Sequence, residues 1–285
     1  MKAWRWLVLI GLVPGLLLVG QAPGQTEGAP HGHMATVNGI EMYYEDYGQA
    51  QASALVLLHW FGVSGEIWRP FVPELEKHYR VIIVDLRAHG RSNNPTNQFT
   101  IRQTALDVFA LLDQLGIQKF KGIGVILGAF TLLHMATLQP ARVEAMILVG
   151  GASYIPDQLR AVVRNSPPEK MTQEDFDYMR KFAKQGDDQV RTLARIFYNF
   201  KDSYDDVNFT PPYLATITAK TLIVEGDRDD FIPMQMAVDL FRFIPHSYLW
   251  ILPNRSLFSL FDPQNTQEFA QMALKFMRAD WEKKR

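Results

Sequence analysis

Six short apolar runs constrain the fold of this chain more than any other feature. They are Ala54–His59, Arg80–Asp85, Lys119–Ile126, Glu144–Gly150, Lys220–Glu225 and Ser247–Leu252. They read as near-continuous rather than alternating, as expected of strands buried on both faces. Between them lie segments of helical spacing. Thr100 to Leu115 carries Ile101, Ala105, Val108, Leu111, Leu112 and Leu115 along one face, and Gly128–Leu138 and Gln264–Met277 behave alike. Strands alternating with helices predict right-handed βαβ units and a mostly parallel sheet flanked by helices, an α/β fold. Ahead of them, Thr36 to Tyr47 carries Asn38-Gly39 between two strand-like runs, a hairpin signal.

Two segments break the alternation. Residues 152–217 hold no convincing strand but several polar helical patterns, including Gln173–Lys184 and Asp188–Phe200. The economical expectation is a helical cap inserted between residues 34–151 and 218–285, which form the core. The N-terminus differs again. Lys2 and Arg5 precede an apolar run from Trp6 to Gly20, about 22 Å long as a helix at roughly 1.5 Å per residue. That is short of the ~30 Å hydrocarbon core of a bilayer. Residues 1–22 therefore read first as a secretory signal, second as an uncleaved membrane anchor, and third as a buried helix of the fold. Residues 23–33, rich in Gly and Pro, read as a flexible linker. The location expected on this basis is exported, periplasmic or extracellular, or membrane-anchored through the N-terminus.

In an open parallel sheet, ligands bind beyond the carboxyl ends of the strands. The loops there read His59-Trp60-Phe61-Gly62, Asp85 to Ser92, Gly124-Val125-Ile126-Leu127-Gly128, Gly226 to Asp230, and Pro253-Asn254-Arg255-Ser256-Leu257. Taken in that order, these motifs resemble the α/β-hydrolase fold superfamily, on its esterase, lactonase and epoxide-hydrolase side, over about Met34 to Trp281. The resemblance implies a helical cap and a Ser-His-Asp relay, with the nucleophile at the centre of a G-x-S-x-G turn. Here that centre is Ile126. The acid position matches Asp229, and the base position falls on Leu257, or on Ser256 with a shift of one. The backbone amides of Phe61 and Leu127 match the oxyanion donors, and Trp60 stands where the family has glycine. His59 and His89 match histidines that hold loops in the family.

The relay needs nucleophile and base within hydrogen-bond reach, and neither Ile126 nor Leu257 carries a suitable atom. Ser64 and Ser256 are surrogate hydroxyls away from the elbow. Ile126 is either filler in a defunct site or part of an apolar pocket, to which Trp60, Leu127, Phe130, Leu257 and Phe258 would contribute. Asp229, without its histidine, is expected to pair with Arg255 or Arg228, because a buried lone carboxylate is costly. Composition closes other routes. With no cysteine, thiolate chemistry, disulfides and Cys-ligated metals are excluded. The acids Asp227, Asp229 and Asp230 have no histidine at metal-ligand spacing, so neither metal nor cofactor is expected. A net charge of −1 gives no basic footprint for nucleic acid.

The leading expectation is a degenerate α/β-hydrolase-fold protein that binds a small apolar molecule without hydrolysing it. The alternative is an active enzyme, hydrolase, lyase or cyclase, using non-standard residues in an apolar pocket.

Overall fold

The computed structural model describes residues 31–278. The signal or anchor and most of the linker lie outside the described residues. Within them, no helix is long and apolar enough to cross a membrane.

Eight strands form one sheet in the order β1-β2-β4-β3-β5-β6-β7-β8. β1 (Gly32–Val37) and β2 (Ile40–Tyr47) are the hairpin, with Val37 opposite Ile40. Asn38 and Gly39 both take positive φ, at 45° and 76°, which makes the turn the primed kind that matches strand twist. β2 pairs antiparallel with β4 (Arg80–Val84). From there β3 (Ala54–Leu58), β5 (Phe120–Val125), β6 (Val143–Val149), β7 (Lys220–Gly226) and β8 (Ser247–Leu252) are all parallel. The six apolar runs are β3 to β8, and the mixed, mostly parallel α/β sheet is as expected.

The linker expectation fails at its end. Gly32 and His33 belong to β1, where Gly32 faces Glu45 and His33 stacks on Tyr44 with ring centroids 5.2 Å apart. The Gly/Pro-rich composition of the preceding residues obscured these partners, which lie across the strand and not along the chain.

The helices follow the apolar spacing. α1 (Ile101–Gln114) and α2 (Leu127–Leu138) pack together against the sheet. α2 is buried on all sides up to Thr137, so its sequence shows no polar face. Between β6 and β7 come α3 (Asp157–Arg164), α4 (Gln173–Phe182) and α5 (Asp187–Asn199). α6 (Met234–Phe243) and α7 (Thr266–Met277) complete the flanks.

The inserted segment is fastened near both its ends. Tyr154 and Asn208 form a β-bridge, and the Phe209 amide donates to the Ser153 carbonyl at 2.7 Å. The Asp206 carboxylate accepts from the Ile101 and Arg102 amides at 2.6 and 3.1 Å, which satisfies two of the unpaired N–H groups that begin α1.

Candidate functional site

The elbow joins β5 to α2. Its centre, Ile126, has φ 47° and ψ −95°. Positive φ is a genuine outlier for a β-branched residue and costs about 1–3 kcal/mol. The turn has therefore kept the strained form instead of relaxing. The flanking glycines explain how it is held. A Cβ on Gly124 would stand 2.3 Å from the Gly128 carbonyl, and one on Gly128 would stand 2.3 Å from the Leu58 oxygen. Only glycine lets the strand, the turn and the helix cross so closely. The Gly128 amide donates to His59 O at 3.1 Å and the Ile126 amide to Val149 O at 2.9 Å, so the elbow is pinned on both sides.

The three relay positions converge. A Cβ on Gly150 would meet Leu257 Cδ2 at 2.7 Å and Ile126 Cγ1 at 3.2 Å, which places these two side chains together over that glycine. Leu257 is fully buried. The loop that carries it lies against β7, where a Cβ on Gly226 would stand 2.3 Å from Arg255 O. The Leu257 backbone amide also lies near enough to Asp229 to favour its charged form. Ile126 and Leu257, the positions to which the family resemblance points for nucleophile and base, thus lie together, and both side chains are aliphatic.

The Asp229 ion pair is not formed. Asp229 Oδ1 accepts from the Phe231 and Ile232 amides, both at 2.9 Å, and caps the turn leading to α6. Arg255 turns away to Glu268 at 3.3 Å, and Arg228, well exposed, lies 3.7 Å from Asp227. Backbone amides replace the guanidinium, because an inward-facing aspartate two or three residues ahead of free N–H groups reaches them at no cost in side-chain ordering. Asp229 Oδ2 is buried without a hydrogen-bond partner, and burial raises the pKa of the group. Behind it Glu225, at the end of β7, is fully buried and its pKa is pushed up to about 9, first by burial and then by the charge of Asp229.

His59 and His89 serve the frame. His59 Nδ1 donates to the Trp60 carbonyl at 2.7 Å, and its Nε2 accepts from the Leu86 amide at 3.0 Å. Burial holds its pKa down at about 4, so it is neutral and fully engaged. His89 Nδ1 donates to Arg87 O at 2.8 Å, and burial keeps this ring neutral too. Ser64 is buried and caps the turn at Gly65–Phe71, which removes it as a surrogate nucleophile.

A cavity of about 70 Å³ lies between the sheet ends and the inserted helices. Trp60, Phe61, Ile126, Leu127 and Phe130 line it from the core, as do Ile101, Phe231 and Ile232. Ile155, Leu159 and Val163, four residues apart along the approach to and face of α3, line it from above with Met179, Phe197 and Phe200. These upper residues were missed in the sequence, although their i, i+4 spacing marks one helical face. Contrary to the expectation from sequence, Leu257 and Phe258 do not line the cavity. Leu257 is packed behind Ile126, and Phe258 meets the Trp60 ring edge-on with centroids 5.6 Å apart. Trp60 also meets Phe261 edge-on at 4.9 Å. The indole therefore occupies space beside the loop that carries Leu257. The Leu127 amide, at the first position of α2, has no intrahelical acceptor.

The alpha/beta hydrolase fold family model matches residues 53–200. The chain is 23% identical over 282 residues to 2-hydroxy-6-oxo-6-(2'-aminophenyl)hexa-2,4-dienoic acid hydrolase of Metapseudomonas resinovorans, covering 91% of this chain and 96% of that protein. It is 26% identical to 2-hydroxy-6-oxononadienedioate/2-hydroxy-6-oxononatrienedioate hydrolase 2 of Pseudomonas putida, covering 84% and 92%. Among solved structures, a meta-cleavage product hydrolase from Pseudomonas fluorescens IP01 superimposes with TM-score 0.69 at 22% identity, covering 87% of this chain and 98% of that one. The enol-lactonase from Burkholderia xenovorans LB400 gives TM-score 0.69 at 23% identity, covering 86% and 100%.

Proposed function

This chain belongs to the alpha/beta hydrolase fold family, and on that frame we propose that it binds a small, neutral, apolar molecule in the cavity beneath its inserted helices, without hydrolysing it. The observation that carries this reading is the meeting of Ile126 and Leu257 over Gly150, where nucleophile and base would stand. An acyl transfer needs an atom that attacks and an atom that takes its proton. Ile126 and Leu257 supply neither, and His59 is fully engaged elsewhere. The remaining lining is aliphatic and aromatic, which suits a molecule bound by burial of apolar surface.

A second reading is an active enzyme, hydrolase, lyase or cyclase, that uses non-standard residues. The names of the relatives favour it over binding alone, since those proteins are called hydrolases and match along nearly their whole length. Asp229, buried with one unpartnered oxygen, is the group it would draw on.

A panel of p-nitrophenyl esters and lactones separates the two. The binding reading expects no turnover above buffer and saturable displacement of N-phenyl-1-naphthylamine by small apolar compounds. Turnover that persists through purification, and is abolished both by filling the cavity with Ile126→Trp and by Asp229→Ala, would replace it with the enzymatic one.

A further inference from the structure

The sheet ends on a strand that is open along one side. The Thr221 and Asp227 amides donate to the carbonyls of His246 and Leu252 at 2.9 and 3.1 Å. By the alternation of a strand, Tyr248 and Trp250 turn their backbone groups to β7 as well, and Leu249 and Ile251 turn theirs outward. Among the described residues nothing bonds to that outward row. An open row of this kind is a template for another strand, and natural edges are blunted by Lys, Pro or a bulge. β8 has none of these. It reads Ser-Tyr-Leu-Trp-Ile-Leu, in unbroken register with β7. The opposite edge is covered in part, since Gln114 of α1 donates to the Thr36 carbonyl of β1 at 2.7 Å.

The apolar surface continues beyond the strand. Tyr248 meets Phe276 of α7 with ring centroids 5.9 Å apart, so Leu249 and Ile251 lie on the α6 face. On that face Val238 and Phe241 of α6 are exposed. α6 packs equally over β7 and β8. A twofold axis beside β8 would set two copies of α6 two strand spacings apart, about 10 Å at ~4.8 Å per strand. That is the packing distance of two helices, so strand and helix layers would close together. The charges fit the same axis. Helices related by it run antiparallel, so the Arg242 end of one α6 meets the end of the other where Gln235 Nε2 donates to Asp239 Oδ1. Arg242 is exposed, lies over the Phe243 ring and forms no ion pair among the described residues.

We propose that the chain forms a twofold dimer in which β8 pairs antiparallel with β8 of a second copy and the two α6 helices pack side by side. The test is sedimentation velocity of the full chain over a micromolar dilution series. A species of about twice 32.6 kDa is expected, dissociating on dilution. Ile251→Pro removes an outward N–H at an edge position that tolerates proline, and should leave a monomer at every concentration. Arg242→Asp and Asp239→Arg should each raise the dissociation constant roughly tenfold, because the axis repeats each contact. The double variant restores opposite charges across the axis and should return it to within about threefold of wild type. In hydrogen exchange, the Leu249 and Ile251 amides should be protected in the dimer and lose that protection on dilution. This readout and the charge reversals stand even if Ile251→Pro folds poorly. A monomer at all concentrations would overturn the inference, whether the edge amides exchange freely or are shielded by residues 279–285 of the same chain. So would a dimer whose dissociation constant neither charge reversal moves and whose edge amides exchange alike at all dilutions.

Discussion

The two sides of the strand-end region have diverged in character. On the rear side, polar groups are deeply buried and, His89 Nε2 apart, hydrogen-bonded. His59 bridges Trp60 and Leu86. Asp85 accepts from the Gly65 and Arg91 amides at 2.7 and 2.8 Å, and Ser92 donates to the Asp85 carbonyl at 2.6 Å while accepting from the Tyr43 amide. On the front side stand Ile126, Leu257 and Trp60, three apolar side chains at the positions where the family resemblance implies a nucleophile, a base and a glycine. Ile126 and Leu257 meet over Gly150, and Trp60 packs edge-on against Phe258, the residue after Leu257. The front is held by apolar packing, whereas the rear, which holds the loops in place, is held by hydrogen bonds. The rear network serves folding.

Four measurements would break or sharpen this contrast. The largest effect is expected at the rear. His59→Ala leaves the Leu86 amide without an acceptor and opens a void, and should lower unfolding free energy by about 3–5 kcal/mol in urea titrations. A loss below ~1 kcal/mol would mean the rear network is dispensable. Next comes Glu225. Its carboxyl is neutral in the folded protein until about pH 9, but ionises near its ordinary 4.5 when unfolded. A raised folded pKa gives stability that is complete below 4.5 and declines as pH rises towards 9. Glu225→Gln, which cannot ionise, should therefore gain on the wild type by roughly 2–3 kcal/mol between pH 5 and pH 7, at about 1.4 kcal/mol per unit. Melting temperatures at three pH values suffice, and a gap independent of pH would contradict the assignment.

At the front, Ile126→Ser with Leu257→His restores both missing atoms on an elbow that keeps its geometry. Ester hydrolysis should rise about a hundredfold over the wild type, with Trp60→Gly raising it further by clearing the indole from the loop. No gain in either variant would show that the convergence of the three positions is not a working one. The smallest effect concerns strain. Ile126→Gly removes a partly buried side chain but relieves a backbone outlier, so stability should change by less than about 1 kcal/mol, where an ordinary buried isoleucine would cost several.

The core strands were legible because the six runs are apolar on both faces, a pattern few alternatives share. The candidate relay positions rest on the order of motifs in the family resemblance, and the close backbone crossings at Gly124, Gly128 and Gly226 emerge only in the structure. The partner of Asp229 was not. Its choice between Arg255 and the amides of Phe231 and Ile232 depends on which way the side chain turns, and Arg255 had a rival partner in Glu268 on α7. The roof of the cavity was hidden for a related reason. An amphipathic helix shows which face is buried but not what it faces, so nothing in the sequence singles out Leu159 and Val163. The placement of Leu257 and Phe258 in the lining failed because adjacency to a site in sequence does not separate a wall from what stands behind it.

The pinned elbow has a consequence for the history of such a chain. Its shape is held by the crossing of Gly124, Gly128 and the Leu58 carbonyl, not by the side chain of residue 126. Selection for a well-packed frame alone is then enough to preserve it across generations in which no reaction takes place. A change at that one position would find the backbone already raised at the head of α2, so a side chain of any chemistry placed there is presented at the same point.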